Sequence, residues 1–145
     1  MKHNTLLKLL LGATLIATTA TTTLSAAPMQ QKQSKPFLIQ GKLPHLTMMV
    51  KKMWDDKDLA LTPKQKTALL KIRKATLGAV IPLKKKVNAL ETKIVNAAKS
   101  GANPADLKKD VFELAKLRAE ATMVHLQCIY DTKKVLTKDQ LDILM

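Results

Sequence analysis

Cysteine occurs once in this 145-residue chain, at Cys128, so no disulfide can form within it. Glycine is nearly as rare, at four residues, and no run of alternating β-branched residues occurs, so a sheet is not expected. There are four aromatic residues, Phe37, Trp54, Phe112 and Tyr130. A core must therefore come from Leu, Ile, Val, Met and Ala, which suits packed helices. Histidine is limited to His3, His45 and His125, and no Ser/His/Asp or Cys/His arrangement is anchored by spacing, so an enzyme is not expected. Acidic residues are also few, 11 against 25 Lys and Arg, for a net charge of +14.

The beginning of the chain reads as an export signal. A short basic start, Met1 to Lys8, leads into an apolar stretch from Leu9 to Ala20, then a Thr-rich run ending at Leu24-Ser25-Ala26-Ala27. Small residues at Ala26 and Ala27 suit cleavage after Ala26. The rival is an uncleaved anchor, since Leu9 to Gln31 carries no charge, but its second half is polar for a membrane span. Export places the protein in the periplasm. Loss of Lys2 and Lys8 lowers the net charge from +14 to +12. A charge of that size usually suggests nucleic acid, but an exported compartment holds little of it. The partners that remain are unfolded or acidic polypeptide, polyanions and anionic membrane surfaces; the plainer alternative is a solvated, Lys-rich helix face. Residues 1–26 are thus expected to be signal peptide, 27–42 a flexible proline-punctuated arm, and 43–145 one helical domain.

Within that domain a short helix is expected after Leu43-Pro44, with Leu46, Met49, Val50, Met53 and Trp54 on one apolar face. Two copies of a Leu-Thr-x-x-Gln pattern follow: Leu61-Thr62-Pro63-Lys64-Gln65 and Leu136-Thr137-Lys138-Asp139-Gln140. Each reads as a capping box. Thr62 and Thr137 are good N-caps, Gln65 and Gln140 stand three residues on, and Pro63 fits the first helical position. The first box opens a helix expected to reach Lys99, about 55 Å long at 1.5 Å per residue. Its seam is Leu69, Ile72, Thr76, Val80, Leu83, Val87, Leu90, Ile94 and Ala97, and a bend is expected at Gly78 to Pro82. Ser100-Gly101-Ala102 is the turn, and Asn103-Pro104 starts a third helix with Leu107, Val111, Leu114, Leu117, Ala121, Val124 and Cys128 as its seam. The second box starts a last short helix, with Leu136 placed to staple onto Leu141. The fold class is all-α: a long bent helical hairpin with short flanking helices. Such a hairpin cannot bury both apolar faces alone, so a homodimer or a persistent exposed apolar surface is expected.

Two constellations remain. Soft ligands scattered near imidazoles, His45 with Met48, Met49 and Met53, and His125 with Met123 and Cys128, would suit copper(I), but no tight ligand spacing accompanies them. The alternative is adaptable apolar packing for the methionines and a buried thiol for Cys128, with an intermolecular disulfide as the sharper option. No cofactor is implied. The second constellation mixes cations with apolar side chains: Leu46, Met48, Met49, Met53, Leu77 and Ile81 beside Lys51, Lys52, Lys84 and Lys85. Lysines attract acidic or unfolded chains at long range, and methionines adapt to varied apolar segments.

With its paired Leu-Thr-x-x-Gln motifs, its His45-Leu46-Thr47-Met48-Met49 ahead of the first, and its Met123-Val124-His125-Leu126 and Ile129-Tyr130 ahead of the second, the chain resembles the Spy/CpxP family of periplasmic helical proteins. The likeness runs from about Leu43 to Gln140, and is greater to the Spy-type chaperones than to the metal sensors. It implies a cradle-shaped antiparallel homodimer and ATP-independent chaperone action during envelope stress, with partly unfolded envelope proteins bound on the concave face. CpxP-like members instead damp an envelope-stress sensor kinase, and more distant relatives bind or sense heavy metals; both remain alternatives. The chain departs from the family in lacking His-rich stretches and in ending soon after the second motif.

Overall fold

The computed structural model of the protein describes residues 35–145. The expected signal peptide and the first part of the arm lie outside the described residues. The order of elements is α1 (Leu46–Lys52), α2 (Pro63–Lys99), α3 (Pro104–Val135) and α4 (Lys138–Leu144). Among the described residues there is no strand, and no helix is long and apolar enough to cross a membrane. The two long helices pack against each other as a hairpin.

Both capping boxes form. The Thr62 and Thr137 side chains accept from the amides of Gln65 and Gln140, and each Gln side chain returns to the amide of its own cap. Helix α2 runs unbroken through Pro82 to Lys99. Pro82 has no N–H for the Gly78 carbonyl four residues back, and both residues are exposed to water. At the turn Gly101 takes φ 80°. Its amide bonds the Ala98 carbonyl, and the Ala102 amide bonds the Ala97 carbonyl. This is the Schellman arrangement, in which glycine meets the left-handed position without a Cβ clash. Asn103 caps α3 by accepting from the Ala105 amide at 2.9 Å.

The α2 seam lies as its spacing predicts, with Leu69 and Val87 buried and the other seven positions half-buried. On α3, Leu117, Ala121 and Cys128 are buried, but Val111 is 48% exposed. Val111 stands one residue before Phe112 and turns away from α2 with it; the inward positions in that stretch are Leu107, Asp110 and Leu114, all half-buried.

The best-packed core sits at the end of the hairpin away from its turn. There Val50, Leu59, Leu69, Leu136 and Leu144 form one buried cluster, with Met49, Met53, Trp54, Leu61, Val135 and Leu141 packed on it. Helix α1 ends at Lys52, two residues short of the end of its apolar face, so Met53 and Trp54 fall in the following turn. That turn is shaped by Asp56, whose carboxylate accepts from the amides of Asp58 and Leu59. Ala60 then takes φ 42°, a left-handed conformation that costs an L-residue about 1–2 kcal/mol.

The described end of the arm, from Lys35, lies against the hairpin. Arg118 of α3 donates to the carbonyls of Lys35 and Phe37 while pairing with Glu91 of α2. The Leu38 amide donates to the Thr122 hydroxyl at 2.8 Å.

Candidate functional site

The two capping-box glutamines do more than close their own helices. Gln65 Nε2 donates to Gln140 Oε1 at 2.7 Å and to the Val135 carbonyl at 3.0 Å. Gln140 Nε2 donates to the Leu59 carbonyl at 2.8 Å and to Gln65 Oε1 at 3.3 Å. Each glutamine therefore binds the chain just ahead of the other motif. The joint ties the start of α2 to the start of α4 and fixes the 53–62 segment that leads out of α1. Helix α1 itself packs on α3 and α4.

A groove of about 410 Å³ separates α1 from α2, lined by Thr47, Val50, Lys51 and Trp54 on one side and Leu69, Leu70 and Arg73 on the other. Val50 and Leu69 are almost fully buried and form its floor, while Leu70 is 56% exposed. Lys66 stands 5.6 Å over the Trp54 ring and pairs with Asp55 at 2.8 Å.

From Leu70 an apolar stripe continues along α2 through Leu77 and Ile81, steps of seven and four, with Leu77 40% and Ile81 50% exposed. Lys74 and Lys85 are exposed beside it and Lys84 is half-buried; among the described residues none of these three has an ion-pair partner. Of the side chains expected to bind clients, Met48, Leu77 and Ile81 are open to solvent, as are Lys51, Lys52 and Lys85. Leu46 is not: it is 1% exposed, because it opens α1 on the side that faces the hairpin. Met49 and Met53 are half-buried against the leucine core. Half of the expected apolar contacts thus belong to packing. Leu70, which sequence reasoning did not single out, is open beside Leu77 and Ile81, and its spacing of seven from Leu77 was the signal for it.

A second apolar stripe lies on α3 opposite its seam. Phe112, Met123 and Tyr130 are 66%, 64% and 56% exposed, with Leu126 at 36% between them. Lys134 stands 4.2 Å over the Tyr130 ring. The steps of eleven, three and four repeat at helical spacing, a pattern as plain in the sequence as the seam itself.

The imidazoles of His45 and His125 meet face to face, with centroids 4.5 Å apart and planes 17° from parallel, and Phe37 covers His125 at 4.8 Å. Both nitrogens of His125 are buried without a hydrogen-bond partner. Burial holds both rings below their ordinary pKa of 6.5. Lys35 lowers both further, and His45 lowers His125; the Pro44 carbonyl acts on His125 the other way. Stacked rings do not aim their in-plane lone pairs at one point. Cys128 is buried, its Sγ 3.9 Å from the Thr47 hydroxyl. Among the described residues no three His, Cys, Asp or Glu side chains gather as a metal site would require.

No family model, curated protein or solved structure matches this chain.

Proposed function

We propose that the protein is an ATP-independent chaperone of the periplasm that binds partly unfolded polypeptides on the α1–α2 face. The observation that carries this reading is the stripe Leu70, Leu77 and Ile81, exposed on one helix face beside Lys74, Lys84 and Lys85, which have no carboxylate partner among the described residues. Exposed apolar side chains provide burial for segments of varied sequence, and the lysines attract acidic stretches before contact is made. Self-association is part of the proposal. The outer stripe of α3, Phe112, Met123, Leu126 and Tyr130, offers a helix-spaced apolar seam to a second copy.

The test is suppression of aggregation of a chemically denatured client by the purified mature protein, without nucleotide, at low salt. Suppression is expected near stoichiometric ratios and is expected to weaken several-fold in Leu77→Ser/Ile81→Ser, a change at exposed positions that leaves the seam intact. Absence of suppression at several-fold molar excess would sink the reading.

A further inference from the structure

The groove between α1 and α2 has the composition of a small-molecule site, and the chaperone reading does not require it. Its volume, about 410 Å³, falls in the usual range for such sites, which are mostly apolar with a few polar groups that fix orientation. Val50, Trp54, Leu69 and Leu70 supply the apolar wall, and the two charged lining groups, Lys51 and Arg73, are both cations. No carboxylate lines the groove, and among the described residues neither cation has an ion-pair partner. Arg73 follows Leu69 and Leu70 by four and three residues, which puts its guanidinium on the face of α2 that bounds the groove. It is half-buried there. A guanidinium partly removed from water beside an apolar wall is complemented by an anion, best by a carboxylate that takes two parallel hydrogen bonds.

We propose that this groove binds an anionic amphiphile, an aliphatic chain ending in a carboxylate. The chain lies against Val50, Trp54, Leu69 and Leu70, and the carboxylate meets Arg73 and Lys51. Charge complementarity selects this occupant over neutral or cationic amphiphiles of the same length.

Trp54 is the one tryptophan of the chain and forms part of the wall, so its emission reports occupancy directly. The full mature chain is titrated with octanoate, decanoate and dodecanoate below their micellar concentrations, with dodecyl maltoside and dodecyltrimethylammonium as neutral and cationic comparisons. Saturable one-to-one binding with a blue shift is expected, tightening about fourfold for each methylene the groove buries. Dodecanoate is expected to bind at least tenfold more tightly than either comparison. Arg73→Gln is expected to weaken dodecanoate about tenfold or more while leaving the maltoside unchanged, since a hydrogen bond to a charged group is lost. Leu70→Asn, at an exposed position that should not disturb folding, is expected to weaken all ligands, and Lys108→Gln on α3 none. The proposal is overturned by equal affinity for the neutral amphiphile, by indifference of dodecanoate to Arg73→Gln, or by equal weakening in Lys108→Gln, which would mark general ionic adsorption. It is overturned also by a non-saturating response or by loss of helical circular dichroism in step with the Trp54 change, which would mark detergent unfolding.

Discussion

Replacing Gln140 by Ala should cost far more than the loss of a helix cap. Gln140 is 8% exposed, and its side-chain amide makes four hydrogen bonds. Its oxygen accepts from the Thr137 amide at 3.0 Å and from Gln65 at 2.7 Å. Its nitrogen donates to the Leu59 carbonyl at 2.8 Å and to Gln65 at 3.3 Å. A net hydrogen bond is worth about 1 kcal/mol, and a buried group left without a partner costs about 1–3 kcal/mol. Leu59 is fully buried, so its carbonyl is the group least able to turn to water. The long 3.3 Å contact adds little, and the expected total is about 3–4 kcal/mol. Thr137→Ala removes a single, part-buried cap bond and should cost about 1 kcal/mol. Gln65→Ala lies between them, at about 2 kcal/mol, because water reaches its half-exposed side chain.

Urea unfolding followed by Trp54 emission and by far-ultraviolet circular dichroism measures all three, and the double variant Gln65→Ala/Gln140→Ala closes a cycle. Contacting residues in one network couple by about 0.5–3 kcal/mol, so the double variant should be more stable than the sum of the singles predicts by about 1–2 kcal/mol. If Gln140→Ala costs no more than Thr137→Ala, or if the two glutamine changes add without coupling, the motifs are two separate caps and the joint between them contributes nothing.

Ala60→Gly should stabilise the protein by about 0.5–1 kcal/mol, seen as a higher urea midpoint, because glycine adopts the left-handed φ of 42° without strain; a lower midpoint would contradict this. The stacked histidines should make stability fall on acidification. Their pKa values are lowered in the folded state, so the unfolded chain takes up protons first as pH falls below about 6.5. Their contribution is therefore complete above that pH and is lost toward the folded-state values, at no more than about 1.4 kcal/mol per pH unit for each imidazole; His125→Leu should flatten its share, and unfolding free energies measured from pH 7.5 to 5.5 that rise on acidification would refute it. Native-state hydrogen exchange should be slowest around Leu69 and Leu136 and fastest near residues 96–107, with uniform protection along α2 as the contrary result.

Much of the fold was legible in the sequence because its signals are local. The start of α2 follows from Thr62-Pro63 and Gln65, the turn from Gly101, and the start of α3 from Asn103-Pro104; each needs only neighbours along the chain. The hairpin seam followed from spacing alone, with Val111 as the exception. The Gln65–Gln140 joint was not legible, because it pairs residues 75 apart, and a capping box explains each glutamine fully without it. The burial of Leu46 and the half-burial of Met49 and Met53 were not legible for a related reason. An amphipathic helix shows which residues share a face, but whether that face meets core or solvent depends on what packs there, and here the Leu59, Leu136 and Leu144 cluster does. The stack of His45, His125 and Phe37 likewise joins three separate segments and has no sequence signature.

Stability and exposure are divided along the length of the molecule. The interlocked caps and the leucine cluster close one end. Beyond Val87 no residue of α2 is buried, and α3 has none before Leu117; that stretch is held by half-buried Leu90, Ile94, Leu107 and Leu114 and by the 2.7 Å Lys93–Asp110 pair. That pair's lysine is 66% exposed, so it contributes little. A hairpin this thin keeps its helices in place mainly from the closed end. The same geometry leaves two long helix faces uncovered, one on α2 and one on α3, each an apolar stripe flanked by exposed lysines. Burying either within the chain would need a third long helix, and none of the described residues supplies one. The lysines flanking Leu77 and Ile81 let an apolar stripe persist in water without self-association through it, since two copies brought together there would juxtapose like charges.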